Sequence, residues 1–304
     1  MISDGMSFAD FSQRFNCEKV CIDVLYAAKW PDGYRCPRCN HCQTSKIKTR
    51  RLPLYECRIC HYQASLISGT VMEGSRTHLH KWFQALFLIA CPSSSINAVK
   101  LSAIINVTYK TAWLILHKLR HAMSHGEIRH MLAGMVRIKT AFYGKPYNPS
   151  FSRHPQEHPL ISGAAFDDQG EITHIKIKQV DNQHMTEKYF RRTGVDAFIS
   201  NHVQAFPADI TIESLRFHTD RFRPVLRICK EVGNWMNAVF HGIGGKHLQA
   251  YLDEFCFRLN NTFRKQPVFN QLFLLCASTA PITYKELIRK NKLLQVGSPC
   301  LSAA

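Results

Sequence analysis

The residues with the plainest chemistry lie in Tyr34–Ser65: Cys36-x2-Cys39, seventeen intervening residues, then Cys57-x2-Cys60. Two knuckles at this spacing supply four thiolates to one tetrahedral Zn²⁺. Cys42 is a spare thiol that could replace Cys39, and His41 and His61 are weaker alternative ligands. Asn40 and His61 follow the knuckles, where the backbone often turns to positive φ, a conformation Asn tolerates well. The chain holds twelve cysteines, but Cys91, Cys229, Cys256 and Cys276 stand singly in apolar segments, as small buried hydrophobes do. The N-terminus has no basic segment followed by an apolar run, so metal rather than disulfide is expected. A hairpin this small cannot fold without its ion, so the zinc would be structural.

A second group of residues could meet a polyanion. The formal net charge is +17, spread along all 304 residues, and nucleic acid is the simplest partner for such a surface. Lys46, Lys48, Arg50 and Arg51 cluster at the tip of the cysteine hairpin, with Lys46 and Lys48 on one face of a strand, a spacing that suits phosphate contacts. Residues 77–92 read as an amphipathic helix stopped at Pro92, with Ser93, Ser94 or Ser95 as the next N-cap. Ala98, Leu101 and Ile105 then share a helical face, Asn106-Val107 makes a turn, and Thr108 caps a helix with Ala112, Ile115, Leu116, Leu119 and Met123 at helical spacing. Two helices joined so briefly fit a helix-turn-helix, in which Tyr109, Lys110, Trp113 and Lys118 of the second helix would face DNA. His117, His121 and His125 form a row on that helix, read as solvated or phosphate-facing.

Elements of a different texture follow residue 133. Gly134–Gly144, "GMVRIKTAFYG", alternates like a half-buried strand, with Val136 and Ile138 inward and Arg137 and Lys139 outward. Residues 159–181 read as two strands joined at Asp168-Gln169-Gly170. Residues 182–194 read as a helix capped by Asn182, "DAFISN" as a short strand, and residues 244–261 as a helix with Leu248, Tyr251, Leu252, Phe255 and Leu259 on one face. That order makes an α/β domain. The longest apolar run, residues 82–91, is about half a bilayer span. A soluble, cytoplasmic chain without a membrane partner is the expectation.

The motifs "KWPDGYRCPRC", "CRICHYQAS", "SGTVMEGS", "YKTAW", "KLRHAM" and "HGIGGKHLQAYLDEFCFRLN" stand in one order from about Phe8 to about Phe263. In these the chain resembles bacterial insertion-sequence transposases that join an N-terminal zinc ribbon to a helical linker and a DDE nuclease domain. The resemblance implies a multidomain fold. Residues 1–70 would be the zinc ribbon with its N-terminal helix and 71–130 the helix-turn-helix-like linker. Residues 131–265 would be a ribonuclease-H-like α/β domain, and 266–304 a C-terminal tail. It also implies an enzyme of DNA strand cleavage and transfer, acting on DNA ends as a homo-oligomer, with two Mg²⁺ ions held by acidic residues.

Those acids are missing where the resemblance puts them. The first catalytic Asp falls on Lys139, with its acidic neighbours on Arg137 and Thr140. The second falls on Asn201, and Glu231 is the nearest candidate for the third, while Glu254 suits a structural role. Asp to Lys places a cation where a divalent cation should sit, so Mg²⁺ is not expected here. Three readings follow: a transposase-family DNA-binding protein with an impaired nuclease, an active transposase that uses Asp167, Asp168, Asp181, Asp196 or Asp220 instead, or a zinc-ribbon regulator.

Overall fold

The computed structural model describes residues 5–91, 95–144, 153–187, 189–206, 209–213 and 222–289. Helices α1 (Phe8–Arg14) and α2 (Glu18–Lys29) precede strands β1 (Thr44–Ile47), β2 (Leu54–Cys57) and β3 (Gln63–Ser65). Helices α3 (Leu79–Ala90), α4 (Ala98–Ile104) and α5 (Tyr109–Ile128) come next. Strands β4 (Met135–Tyr143), β5 (His158–Phe166) and β6 (Ile172–Gln179) lead to a hairpin of β7 (Met185–Thr186) and β8 (Tyr189–Phe190). Then come α6 (Arg192–His202), β9 (Asp209–Glu213), α7 (Arg223–Phe240), α8 (Gly245–Phe263), α9 (Val268–Ser278) and α10 (Tyr284–Ile288). The chain divides into two compact units, one of Met1–His125 with Pro267–Leu287, the other centred on Gly126–Gln266.

In the first unit β1-β2-β3 form an antiparallel sheet. Helix α3 is apolar on most of its surface and buries Leu79, Trp82, Phe83, Leu86 and Ile89, as a core helix does. Its rings meet those of α1 and α9: Phe11 and Phe87 lie 4.5 Å apart, Phe83 and Phe273 5.1 Å. Residues 267–287, expected as part of a tail, therefore close this core, with Leu272, Phe273 and Cys276 buried. Pro92, Ser93 and Ser94 lie outside the described residues. Asn97, not Ser95, caps α4, its side chain accepting from Lys100 N at 2.9 Å. Asn106 turns at φ 50° and Thr108 caps α5 as the sequence indicates.

In the second unit the sheet order is β6-β5-β4-β9, with β9 parallel to β4 and the other pairs antiparallel. Both faces are covered. Val136, Ile138, Ile161 and Ala165 pack with Val195 and Phe198 of α6. Leu160, Ala164, Ile175 and Ile177 pack with Val225, Val232 and Met236 of α7 and Leu248 and Leu252 of α8. Gly163 of β5 makes room for α6, since a Cβ there would stand 2.7 Å from the Phe198 ring. A strand covered on both faces has no outward side. The half-buried reading of residues 134–144 is corrected accordingly: Lys139 is only 1% exposed.

Two more expectations are corrected. Asp181, not Asn182, caps what is only a short 3-10 turn at Asn182–His184, and the expected helix there gives way to the β7–β8 hairpin. "DAFISN" is helical, part of α6, because Val195 and Phe198 share a face three residues apart and bury it. The strand comes later, at "DITIE", where Ile210 and Ile212 alternate with the polar Asp209, Thr211 and Glu213.

Helix α8 also closes the open edge of β6. Asn260 accepts from Ile175 N at 2.8 Å and donates to Ile175 O at 2.9 Å and to Glu127 Oε2 at 2.8 Å. Gln249, three turns earlier, accepts from Gln179 N at 2.7 Å and donates to Ile177 O at 3.2 Å. These two amides stand in for a neighbouring strand, which keeps the edge from pairing elsewhere. Asn260 is fully buried. Asn260→Ala is expected to cost about 3 kcal/mol by stranding buried backbone groups, measured as a shift in the urea midpoint; a cost near zero would mean that water reaches this edge.

Candidate metal centre and nucleic-acid surfaces

The two knuckles have matching backbones. Cys36 N donates to His41 O at 2.9 Å and Asn40 N returns to Cys36 O at 2.9 Å. Cys57 N donates to Tyr62 O at 3.0 Å and His61 N to Cys57 O at 3.1 Å. Both post-knuckle residues have positive φ, Asn40 at 59° and His61 at 54°. The result is that Sγ of Cys36, Cys39, Cys57 and Cys60 all lie within 4.8 Å of one another. Cys36–Cys60 and Cys39–Cys57 are each 3.5 Å apart, near the ~3.8 Å edge of a tetrahedron with Zn–S bonds of ~2.3 Å. Four thiolates in this geometry fit Zn²⁺. Cys42 is exposed and outside the cluster, so it does not replace Cys39. His41 and His61 are outside it too.

The ribbon stands on α2. Tyr55 of β2 is 5.2 Å from both Tyr26 and Trp30, and Trp30 is 5.0 Å from Tyr34. Lys29 Nζ lies 4.6 Å from the Trp30 ring and donates to the carbonyls of Ser65, Leu66 and Ser68. Burial lowers its pKa to about 8.

The basic residues separate into exposed and engaged ones. Lys46, Lys48 and Arg50 are exposed at the ribbon tip. β1 ends at Ile47, so Lys48 already belongs to the turn. Arg51 is ion-paired with Glu18 and also reaches His78 Nδ1 at 3.4 Å. On α5, Tyr109 and Lys110 are exposed at the N-terminal end. Trp113 packs between His117, 4.0 Å away, and Tyr284, 6.0 Å away. Lys118 is corrected as a surface contact: it is buried, donates to Glu73 O at 3.0 Å, and has its pKa lowered by burial. The histidine row is not solvated as expected. His117 is buried, His121 is half-buried with its pKa pushed down to about 4 by burial and by His125, and only His125 is exposed.

In the second unit Lys139 sits mid-sheet on β4. Its register partner on the parallel neighbour β9 is Glu213, and Lys139 Nζ lies 2.8 Å from Glu213 Oε2. Ser162 faces it from β5. Cys229 of α7 lies close enough to interact with both Ser162 and Lys139, and burial raises its thiol to about 11. Arg137, one step along the same face, stacks on Phe166 at 4.4 Å. The other sequence candidates do not join this centre. Asn201 is on helix α6, not on a strand, and its Nδ2 donates to Ala197 O at 2.8 Å, because the strand of this region is β9. Glu231 is half-exposed on α7 and pairs with Arg227 at 3.1 Å. Glu254 is buried and lies 4.0 Å from Arg258. Glu213 is the residue that sequence reasoning missed; the alternation of "DITIE" was its available signal.

Among the described residues no helix is long and apolar enough to cross a membrane. Residues 16–63, which contain all four clustered cysteines, match the family described as transposase zinc-ribbon domain. Over 239 residues, 76% of this chain and 77% of the relative, the chain is 25% identical to an uncharacterized protein in transposable element ISH50 of Halobacterium salinarum. No solved structure matches. The chain is thus similar to insertion-sequence transposases, most clearly in a cysteine ribbon built to hold one Zn²⁺.

Proposed function

We propose that this is a transposase-type DNA-binding protein whose second unit is a ribonuclease-H-like domain with its nuclease centre closed by an internal ion pair. Three antiparallel strands, a helix and a further strand parallel to the first support the fold assignment. The ribbon similarity, the transposable-element relative and the net charge of +17 support DNA as partner.

The Lys139–Glu213 pair carries the proposal that catalysis is lost. A pair of Mg²⁺ ions needs hard oxygen donors at the centre of the sheet. Here the central strand offers an ammonium, and that ammonium already occupies the carboxylate opposite it. At ~4 Å and an effective dielectric of ~20, each pair of unit charges interacts by about 4 kcal/mol. A divalent ion would meet that repulsion twice over, so the residues present do not fit Mg²⁺. The active-transposase reading gains nothing from the described acids. Asp167 accepts from Gln169 N and Glu171 N in a turn, Asp181 caps a 3-10 turn, and Asp196 lies 3.9 Å from Arg192 on an exposed helix face. Asp168 is in the same β5–β6 turn, and Asp220 lies outside the described residues. Self-association on paired DNA ends and a cytoplasmic setting belong to the same proposal.

Binding to duplex DNA tests it. Replacing Lys46, Lys48 and Arg50 together by Gln is expected to weaken affinity across all sequences and to reduce the slope of log K against log salt by roughly three. Fluorescence anisotropy over a salt series reads this directly. An unchanged slope would remove the ribbon tip from the DNA interface.

A further inference from the structure

We propose that Glu18, His78 and His80 form a second divalent-cation site in the first unit, separate from the four cysteines, for an ion of Zn²⁺ character. Their ligand atoms all lie within 4.8 Å of one another. Nδ1 of His78 and of His80 stand 3.5 and 3.6 Å from the same oxygen, Glu18 Oε2. Those separations are long for good N–H···O hydrogen bonds. They are close to the ~3.4 Å edge of a tetrahedron with bonds of ~2.1 Å to nitrogen and oxygen.

The local structure holds the three side chains in place. Glu18 is the first residue of α2, and its carboxylate is fixed from two other directions, by Leu79 N at 3.0 Å and by Arg51. His78 is the N-cap of α3 and His80 its second residue, which sets the two rings side by side with centroids 5.4 Å apart. His78 is half-exposed and leaves an entry path. Two imidazoles and one carboxylate are a donor set that Zn²⁺ accepts with a position left open.

Arg51 opposes the ion. Its guanidinium holds the other oxygen of Glu18 and lies 3.4 Å from His78 Nδ1. The N-termini of α2 and α3 add positive potential. The site therefore binds less tightly than the four thiolates, and Arg51 sets how much less.

Calorimetric titration of the full chain with Zn²⁺, its ribbon metal retained and counted by elemental analysis, tests the site. The expected result is one further equivalent per chain. His78→Ala with His80→Ala should abolish it while leaving the ribbon metal in place. Arg51→Gln should tighten it by about tenfold or more, a gain that loss of folding cannot produce. The site is overturned if no second equivalent binds, if the double-histidine variant binds as well as the natural chain, or if Arg51→Gln leaves the affinity unchanged.

Discussion

Removing the ribbon metal with a strong chelator is expected to unfold residues 34–65 while the second unit stays folded. The three strands of the ribbon have four, four and three residues, and an isolated sheet of this size is marginal without another source of stability. Its apolar contribution is essentially Tyr34, Tyr55 and Ala64 against Tyr26 and Trp30 of α2. Zinc binding to four thiolates supplies about 10–16 kcal/mol, and in so small a module that is folding free energy. Cys57→Ser should behave like the chelator, because it removes a buried thiolate from the tetrahedron. Limited proteolysis reads the outcome: cleavage should appear within residues 44–63 and Gly126–Gln266 should remain intact. Retention of the ribbon after complete metal removal would mean that the aromatic packing alone holds it.

The second large effect is expected at Lys139. Its side chain is 2% exposed and that of Glu213 10%. Lys139→Ala would remove the ammonium that Glu213 holds at 2.8 Å inside the sheet, at a cost of about 3–5 kcal/mol. The double change Lys139→Met with Glu213→Leu should recover most of that loss, since an apolar replacement of a buried pair is often neutral or stabilising. Urea unfolding of the full chain, followed through the second unit, separates these cases. If Lys139→Ala costs less than about 1 kcal/mol, a value typical of exposed pairs, the pair is solvated rather than buried.

Elements with a single strong local signal were legible in the sequence. The ribbon was, because ligand spacing and the positive-φ positions at Asn40 and His61 are local. Helix α5 was, because its cap at Thr108 and its buried stripe lie within the helix itself. What failed depended on partners far along the chain. Lys139 looks like an outward residue until Cys229 of α7 approaches its face and Glu213 of β9 takes its ammonium. Lys118 looks like a phosphate contact until Glu73 O, 45 residues earlier, takes its ammonium. Residues 196–201 are a short run of mixed propensity, and burial of Phe198 against Gly163 makes them helical. The same misreading hid the strand that carries Glu213, which the parallel register places beside Lys139.

Strand cleavage tests the closed centre most directly. The full chain would be incubated with Mn²⁺ and labelled DNA carrying the gene's own flanks, and binding and nicking would be scored on the same samples. A closed centre predicts salt-sensitive binding of uncut DNA. Metal-dependent nicking by the natural chain would contradict it, and would mean that acids other than those facing Lys139 carry a working nuclease.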